Sequence, residues 1–218
     1  MKKAGISKSL VCSCATTEHQ VSSINDMFYA ESLAHKEFVC LGTLHPAMDN
    51  PYAEIDKIVK YNLKGIKLHP DFQKFNIDDE RMIDVYKYIA KCKLPVLFHT
   101  GDDRYDYSSP KRLRRVVDKV PDLKCTAAHL GGYRKWDEAK KYLVHENVYV
   151  DTCSSLYFLP KEMSLELLDI YGEDKVLFGT DFPMQNATDE LKLVESLNLS
   201  EEFKEKLFYK NFISLYGE

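Results

Sequence analysis

The sequence predicts an α/β protein, a TIM-type (β/α)8 barrel with seven of its strands present in this chain. Three observations carry that expectation. Short apolar runs alternate regularly with amphipathic helical segments, which implies a parallel sheet clothed in helices. His45, His69, His99, His129, Asp151 and Asp181 all fall at or near predicted strand C-termini, the end at which such a barrel carries its active site. A doubly wound open sheet is the competing architecture, but neither Gly-x-Gly-x-x-Gly nor a P-loop pattern occurs.

Met1 to Ile6 reads as the tail of a helix stopped by Gly5, and Ser7 to Ala15 as a strand. Ser22 caps a helix running to about His35, and Phe38 to Pro46 gives the second strand. Pro51 opens a helix with Ile55, Ile58, Val59 and Leu63 on one face, before the strand Gly65 to Pro70. Asp78 and Asp79 favour the start of the next helix, whose stripe of Met82, Ile83, Tyr86 and Ile89 leads to the strand ending at His99. Ser109-Pro110 starts the helix before the His129 strand. Trp136, Ala139, Tyr142 and Leu143 line the one before the strand Asn147 to Cys153. Lys161 to Tyr171 is helical, ends at Gly172 and delivers Lys175 to Asp181, a strand stopped by Pro183. Thr188 to Tyr216 is helical with a break near Asn198, where Ser200 caps afresh.

With 218 residues, 44% of them hydrophobic, the chain is expected to form one barrel domain over 1–218. It begins where a first helix should end, so the first strand is expected to be missing and two sheet edges, near Val11 and Phe178, to be open to another chain. A homo-oligomer follows from that. The net charge of -4, with basic residues dispersed among acidic ones, argues against nucleic acid or an anionic membrane as partner. No apolar run reaches the length of a membrane span, and no signal peptide precedes the fold. Six cysteines, mostly inside strand-like runs, suit reduced thiols in a cytoplasmic protein, and Cys12-Ser-Cys14 is the only closely spaced pair.

A lone histidine at a strand end has a simple structural use as a cap or carbonyl partner. Three metal-capable side chains on one rim, His99, His129 and Asp181, are harder to explain that way. Neutral imidazole and carboxylate suit zinc, with manganese as the alternative, and a cation would offset the cost of burying Asp181. Such an ion brings bound water within reach of deprotonation at neutral pH. Lys67 alternates onto the same inward face as His69. With Arg104 and Arg134, these two are the candidates for holding a small substrate.

Phe98-His99-Thr100-Gly101, Ala128-His129-Leu130-Gly131 and Gly179-Thr180-Asp181-Phe182-Pro183 resemble the fifth-, sixth- and eighth-strand signatures of the amidohydrolase superfamily, most closely its amidohydrolase-2 group. That group is related to aminocarboxymuconate-semialdehyde decarboxylase and to dicarboxylate lactone hydrolases. The resemblance implies that His99 is a metal ligand, that His129 is a ligand or the base orienting water, and that Asp181 is a ligand and proton acceptor. It also sets Lys67 where binuclear relatives carry a carboxylated lysine or a glutamate. The first-strand His-x-His of these enzymes is absent.

The resemblance thus implies a metal-dependent hydrolase acting, through a metal-activated water, on a small carboxylated, amide or lactone-like substrate. A non-oxidative decarboxylase using the same site is the alternative. A catalytically inactive barrel remnant, serving as a binding or assembly subunit, is the other.

Overall fold

The computed structural model describes residues 1–145 and 147–217. Its sheet is parallel throughout: Ser9–Val11 (β1), Phe38–Cys40 (β2), Gly42–Thr43 (β3), Ile66–Leu68 (β4), Val96–Phe98 (β5), Cys125–Ala127 (β6), Val148–Asp151 (β7) and Val176–Leu177 (β8). β2 and β3 are halves of one extended segment that changes partners at Leu41. Leu41 N–H donates to Val11 O of β1, whereas Gly42 N–H donates to Gly65 O before β4. Seven strand positions result, as the alternation of the sequence requires, in the order of the chain.

Helices follow the strands: Val21–Ala34 (α1), Pro51–Lys60 (α2), a single turn Pro70–Gln73 (α3), Glu80–Lys91 (α4), Pro110–Lys119 (α5), Trp136–Tyr142 (α6), Lys161–Tyr171 (α7) and Ala187–Ser196 (α8). Their starts are chemically marked. Asn50 and Asp79 accept from backbone N–H groups of the first turns of α2 and α4, and Pro51, Pro70 and Pro110 open three helices with φ already set. α1 starts at Val21 rather than after Ser22, because a 3-10 turn at Glu18–Gln20, with a capping box between Thr17 and Gln20, leads into it.

Strand alternation sorts the side chains. Ile66, Leu68, Val96, Phe98, Cys125, Ala127, Val148, Val150 and Val176 face outward into the large core beneath the helices. Leu41, Leu97, Tyr149 and Leu177 form a second, smaller cluster inside the barrel, with Leu10 and Cys12 packed against it. Lys67, between Ile66 and Leu68, shares that inward face. This two-layered burial, one layer inside the strands and one beneath the helices, is that of a barrel-type fold rather than of an open sheet.

Among the described residues β1 and β8 do not pair, and helices cover the interval. Ser200 caps Glu201–Glu205 (α9), which runs through a π-helical turn at Lys206–Lys210 into Asn211–Tyr216 (α10). The π-turn has an identifiable cause. Phe178 N–H, at the end of β8, donates to Leu207 O at 2.9 Å and diverts that carbonyl from the helical ladder. The edge expected to await another chain near Phe178 is therefore met from within. Leu215 and Tyr216 then enter the inner cluster, where Tyr216 Oη lies 3.3 Å from Thr126 Oγ1. Tyr216→Ala is expected to lower unfolding free energy in urea by about 3 kcal/mol, and Tyr216→Phe by under about 1 kcal/mol, since packing outweighs one long hydrogen bond.

Candidate metal centre

Each short strand ends where its polar residue begins. His69 follows β4 directly and His99 follows β5, both in register with the inward-facing positions Lys67 and Leu97. His129 stands two residues past β6 in a left-handed turn with Leu130 (φ 64° and 48°). Asp151 is the last residue of β7. The rings of His69 and His99 stack at 3.8 Å, with Phe72 stacked on the other side of His69 at 3.8 Å.

Two groups of metal-capable side chains arise from this arrangement: His69, Asp71 and His99, and His129, Asp151 and Cys153, with the ligand atoms of each group within 4.8 Å of one another. A single hydrogen bond joins them, between His129 Nε2 and His99 Nδ1 at 2.9 Å. Its direction follows from the partners. His129 Nδ1 lies 3.0 Å from the Cys153 carbonyl, which can only accept, so Nδ1 carries the proton. A neutral His129 then accepts at Nε2, and His99 must donate from Nδ1. His99 Nε2 is left as a bare lone pair, buried and without a partner.

The environment keeps these rings neutral. Burial, then the neighbouring His129 and His69, then Lys67 hold the His99 pKa far below the usual imidazole range. Burial and Lys67 bring His69 down to about 3, and burial lowers His129 although the Asp151 carboxylate opposes it. Facing the His99 lone pair is Asp71 Oδ2 at 3.9 Å, on a side chain with no solvent exposure. Oδ2 accepts a hydrogen bond from Ser108 Oγ, Oδ1 has no partner, and burial raises the pKa of the carboxyl.

Two acceptors thus face each other with no donor between them. The separation is too long for a hydrogen bond but lies within the span of two metal–ligand bonds of about 2.1 Å. These residues fit a divalent cation. The second group differs. Asp151 Oδ1 already accepts from His129 N–H (3.0 Å), Cys153 N–H (3.2 Å) and the Cys153 thiol (2.6 Å), so its hydrogen bonding is satisfied.

The structure brings His99 to His129, but Asp181 belongs to neither group. β8 ends at Leu177, earlier than the sequence suggested. Asp181 lies on the exposed loop beyond it at φ 53°, with Oδ2 accepting from Ser154 Oγ at 2.9 Å. Its field still reaches His129. Lys67 acts electrostatically on all three clustered histidines and has no hydrogen-bonded or ion-paired partner among the described residues. Arg104 is exposed and paired with Asp102 through Nη2 at 2.7 Å. Arg134 is exposed over Phe158 at 4.5 Å and Tyr133 at 5.4 Å, and Tyr133 in turn packs edge-on to His129. His45 accepts from Ala47 N–H, an ordinary turn partner.

Sequence reasoning missed Asp71 and Cys153. Each stands two residues past a residue already noted, Asp71 after His69 and Cys153 after Asp151. Only the turn of α3 and the bend after β7 bring them back to the site.

Gly101 (φ 81°) locks the two histidine loops together. A Cβ there would come within 2.6 Å of Tyr133 N and O, just where Tyr133 N–H donates to Thr100 O at 2.8 Å. Gly101→Ala is expected to cost at least about 2 kcal/mol and to lower the melting temperature measurably, because the left-handed backbone and the clash both oppose it.

A parallel barrel with metal-capable side chains gathered at its C-terminal mouth defines the class. The chain belongs to the amidohydrolase family, in its amidohydrolase-2 group: the family model described as Amidohydrolase matches residues 15–217. Among solved structures, an uncharacterised TIM-barrel protein from Bordetella bronchiseptica superposes with a TM-score of 0.86 at 21% identity, covering 100% of this chain and 80% of its own. A 5-carboxyvanillate decarboxylase from Sphingomonas paucimobilis gives 0.79 at 15% identity, with 100% and 81% coverage. A dihydroxybenzoic acid decarboxylase from Polaromonas, solved with manganese and 2-nitroresorcinol, gives 0.78 at 15% identity, with 100% and 83% coverage. At these identities the likeness establishes the fold. Among the described residues no helix is long and apolar enough to cross a membrane.

Proposed function

We propose that this protein is a metal-dependent, non-oxidative decarboxylase of small hydroxylated aromatic acids. The observation that carries the reading is the buried, unpartnered Nε2 lone pair of His99 opposite the buried Asp71 carboxylate, whose Oδ1 has no partner among the described residues, beside Lys67 and an aromatic wall. Support comes also from the decarboxylases among its structural neighbours, one of which was solved with manganese.

His99, with Asp71 and His69, would hold a divalent cation, manganese or zinc. When bound, it supplies positive charge to the carboxylate and phenolic oxygens of the substrate. Lys67 adds fixed charge on the same inward face. Tyr133 and Phe158 offer ring faces against which a planar substrate stacks, and Arg134, lying over them, meets a second anionic substituent at the mouth. Asp181, oriented by Ser154, delivers a proton to the ring carbon that bears the carboxylate. The carbon–carbon bond then breaks, its electron pair returns to the ring and carbon dioxide leaves. Asp181 is exposed and recovers its proton from water.

The test is direct. Protein loaded with manganese or zinc is offered a panel of hydroxybenzoates, and carbon dioxide release is followed. A parallel panel of aryl lactones and amides is followed by acid release. Turnover of the hydroxybenzoates is expected. Hydrolysis of lactones or amides without any decarboxylation would overturn the reading in favour of a hydrolase, and inactivity on both panels, with no bound metal, would favour a binding subunit. Lys67→Met is expected to raise KM for the carboxylate substrate about tenfold or more while leaving metal content unchanged.

A further inference from the structure

The loop between β5 and α5, residues 101–109, joins the two segments that carry the His69, Asp71 and His99 group. Its neck closes where Gly101 N–H donates to Ser108 O at 3.0 Å, which ties the backbone of Ser108 to a position two residues past His99. The Ser108 side chain reaches the other segment. Its Oγ donates to Asp71 Oδ2, the oxygen that stands 3.9 Å from His99 Nε2, and Asp71 Oδ1 has no partner among the described residues. Ser108 is 1% exposed and Asp71 4%, so this bond is made away from water, where a hydroxyl donating to a carboxylate is strong. We propose that Ser108 is a positioning residue for the cation: it holds the Asp71 carboxylate in one orientation toward His99 and thereby favours manganese or zinc over calcium. The proposal rests on that group holding a metal, as read above.

Both partners are held by their own backbones. On one side of Ser108, Ile77 N–H donates to Tyr107 O at 2.9 Å; on the other, Ser109 O accepts from Arg112 and Leu113 N–H in the first turn of α5. Farther out, Asp106 pairs with Arg112 at 3.0 Å and with Lys135 at 3.5 Å. The turn that bears Asp71 is braced by Gln73, whose Nε2 donates to Ala15 O (2.9 Å) and Leu44 O (2.7 Å) and whose Oε1 accepts from His69 N–H (2.9 Å). With the two backbones fixed, the remaining freedom is rotation of the Asp71 carboxyl about its last side-chain bond, a torsion with broad wells, and the serine hydroxyl removes it. A carboxylate pinned in this way offers a cation one lone pair in a set direction, which suits manganese or zinc. Calcium takes one or both oxygens of a carboxylate, at longer distances and in looser geometry, and gains less from the pinning.

The experiment reads metal binding rather than turnover. Manganese is titrated into the protein, with the free ion followed by its solution spin-resonance signal, and calcium is then added until half of the bound manganese is released. Ser108→Ala is expected to weaken manganese about tenfold or more, and to lower by about the same factor the calcium excess needed for half-release. Ser108→Thr keeps the hydroxyl and should restore most of the manganese affinity. Because the serine acts through the aspartate, Ser108→Ala should change manganese affinity by less than about twofold when placed in an Asp71→Asn protein. Urea unfolding of each metal-free variant checks that the fold is intact.

Equal manganese affinity in Ser108→Ala and wild type would overturn the proposal. So would a loss shared equally by manganese and calcium, which is what a general loosening of the loop produces, or a loss just as large in the Asp71→Asn protein. Wild-type protein that takes up no manganese would bring down the metal reading and this proposal together. Wild-type binding beside an indifferent Ser108→Ala would leave the metal reading standing and remove the role of Ser108 alone.

Discussion

His99→Ala is expected to abolish stoichiometric metal binding and, under the proposed function, to lower decarboxylation on the order of a thousandfold. His99 carries the one buried imidazole lone pair in the first group that no hydrogen bond occupies. The metal-free protein should melt close to the wild-type temperature, because the substitution removes an unsatisfied buried nitrogen together with the ring. Asp181→Asn makes the informative contrast: turnover should fall by a comparable factor while metal content is retained, since Asp181 stands outside both ligand groups. Elemental analysis of the two purified variants, beside their rates, separates the roles. A His99→Ala protein that keeps its metal would remove the foundation of the site described here.

Glu190→Met is expected to stabilise the protein by about 3 kcal/mol at pH 8 and by little at pH 4. Glu190, on α8, has no solvent exposure, and neither of its carboxylate oxygens has a partner. Burial first, and the Asp151 charge second, push its pKa from 4.5 up to about 7. The sign follows from proton linkage. The unfolded chain ionises this group near pH 4.5 and the folded one only near 7, so its neutral form is tolerated below 4.5 and stability is lost as pH rises through that window. The buried histidines act in the opposite sense, since their lowered folded pKa values remove stability as pH falls below the unfolded value of 6.5. The variant-minus-wild-type difference in urea unfolding free energy at several pH values isolates the Glu190 contribution. A difference that does not grow between pH 4 and pH 8 would refute the assignment.

The barrel was legible because its signals are local and repeated. Apolar runs such as Pro95 to Phe98 are too short for helices, and proline or capping residues mark where α2, α4 and α5 begin. His99 and His129 were legible for the same reason, as polar residues closing apolar strands. The rest depended on geometry that spacing does not encode. Asp181 lies beyond a strand that stops at Leu177, and a left-handed backbone there turns it toward Ser154. Asp71 reaches the site because His69 both ends a strand and caps a one-turn helix, a double role that no periodicity displays. The direction of the proton chain depended on which nitrogen of His129 meets the Cys153 carbonyl, a matter of ring orientation.

The floor of the barrel has a further consequence for how the molecule is built. Neighbouring strands are also successive in the chain, so the sheet can assemble stepwise through short crossovers. Tyr216, by contrast, meets Thr126 across a separation of 90 residues, and it and Leu215 complete the inner cluster begun at Leu10 and Leu41. Contacts of such sequence distance form late, so a half-assembled chain presents Leu41, Leu97 and Tyr149 to water until the last helix seats. Aggregation during refolding should therefore track substitutions in α10 more closely than substitutions in the outer helices.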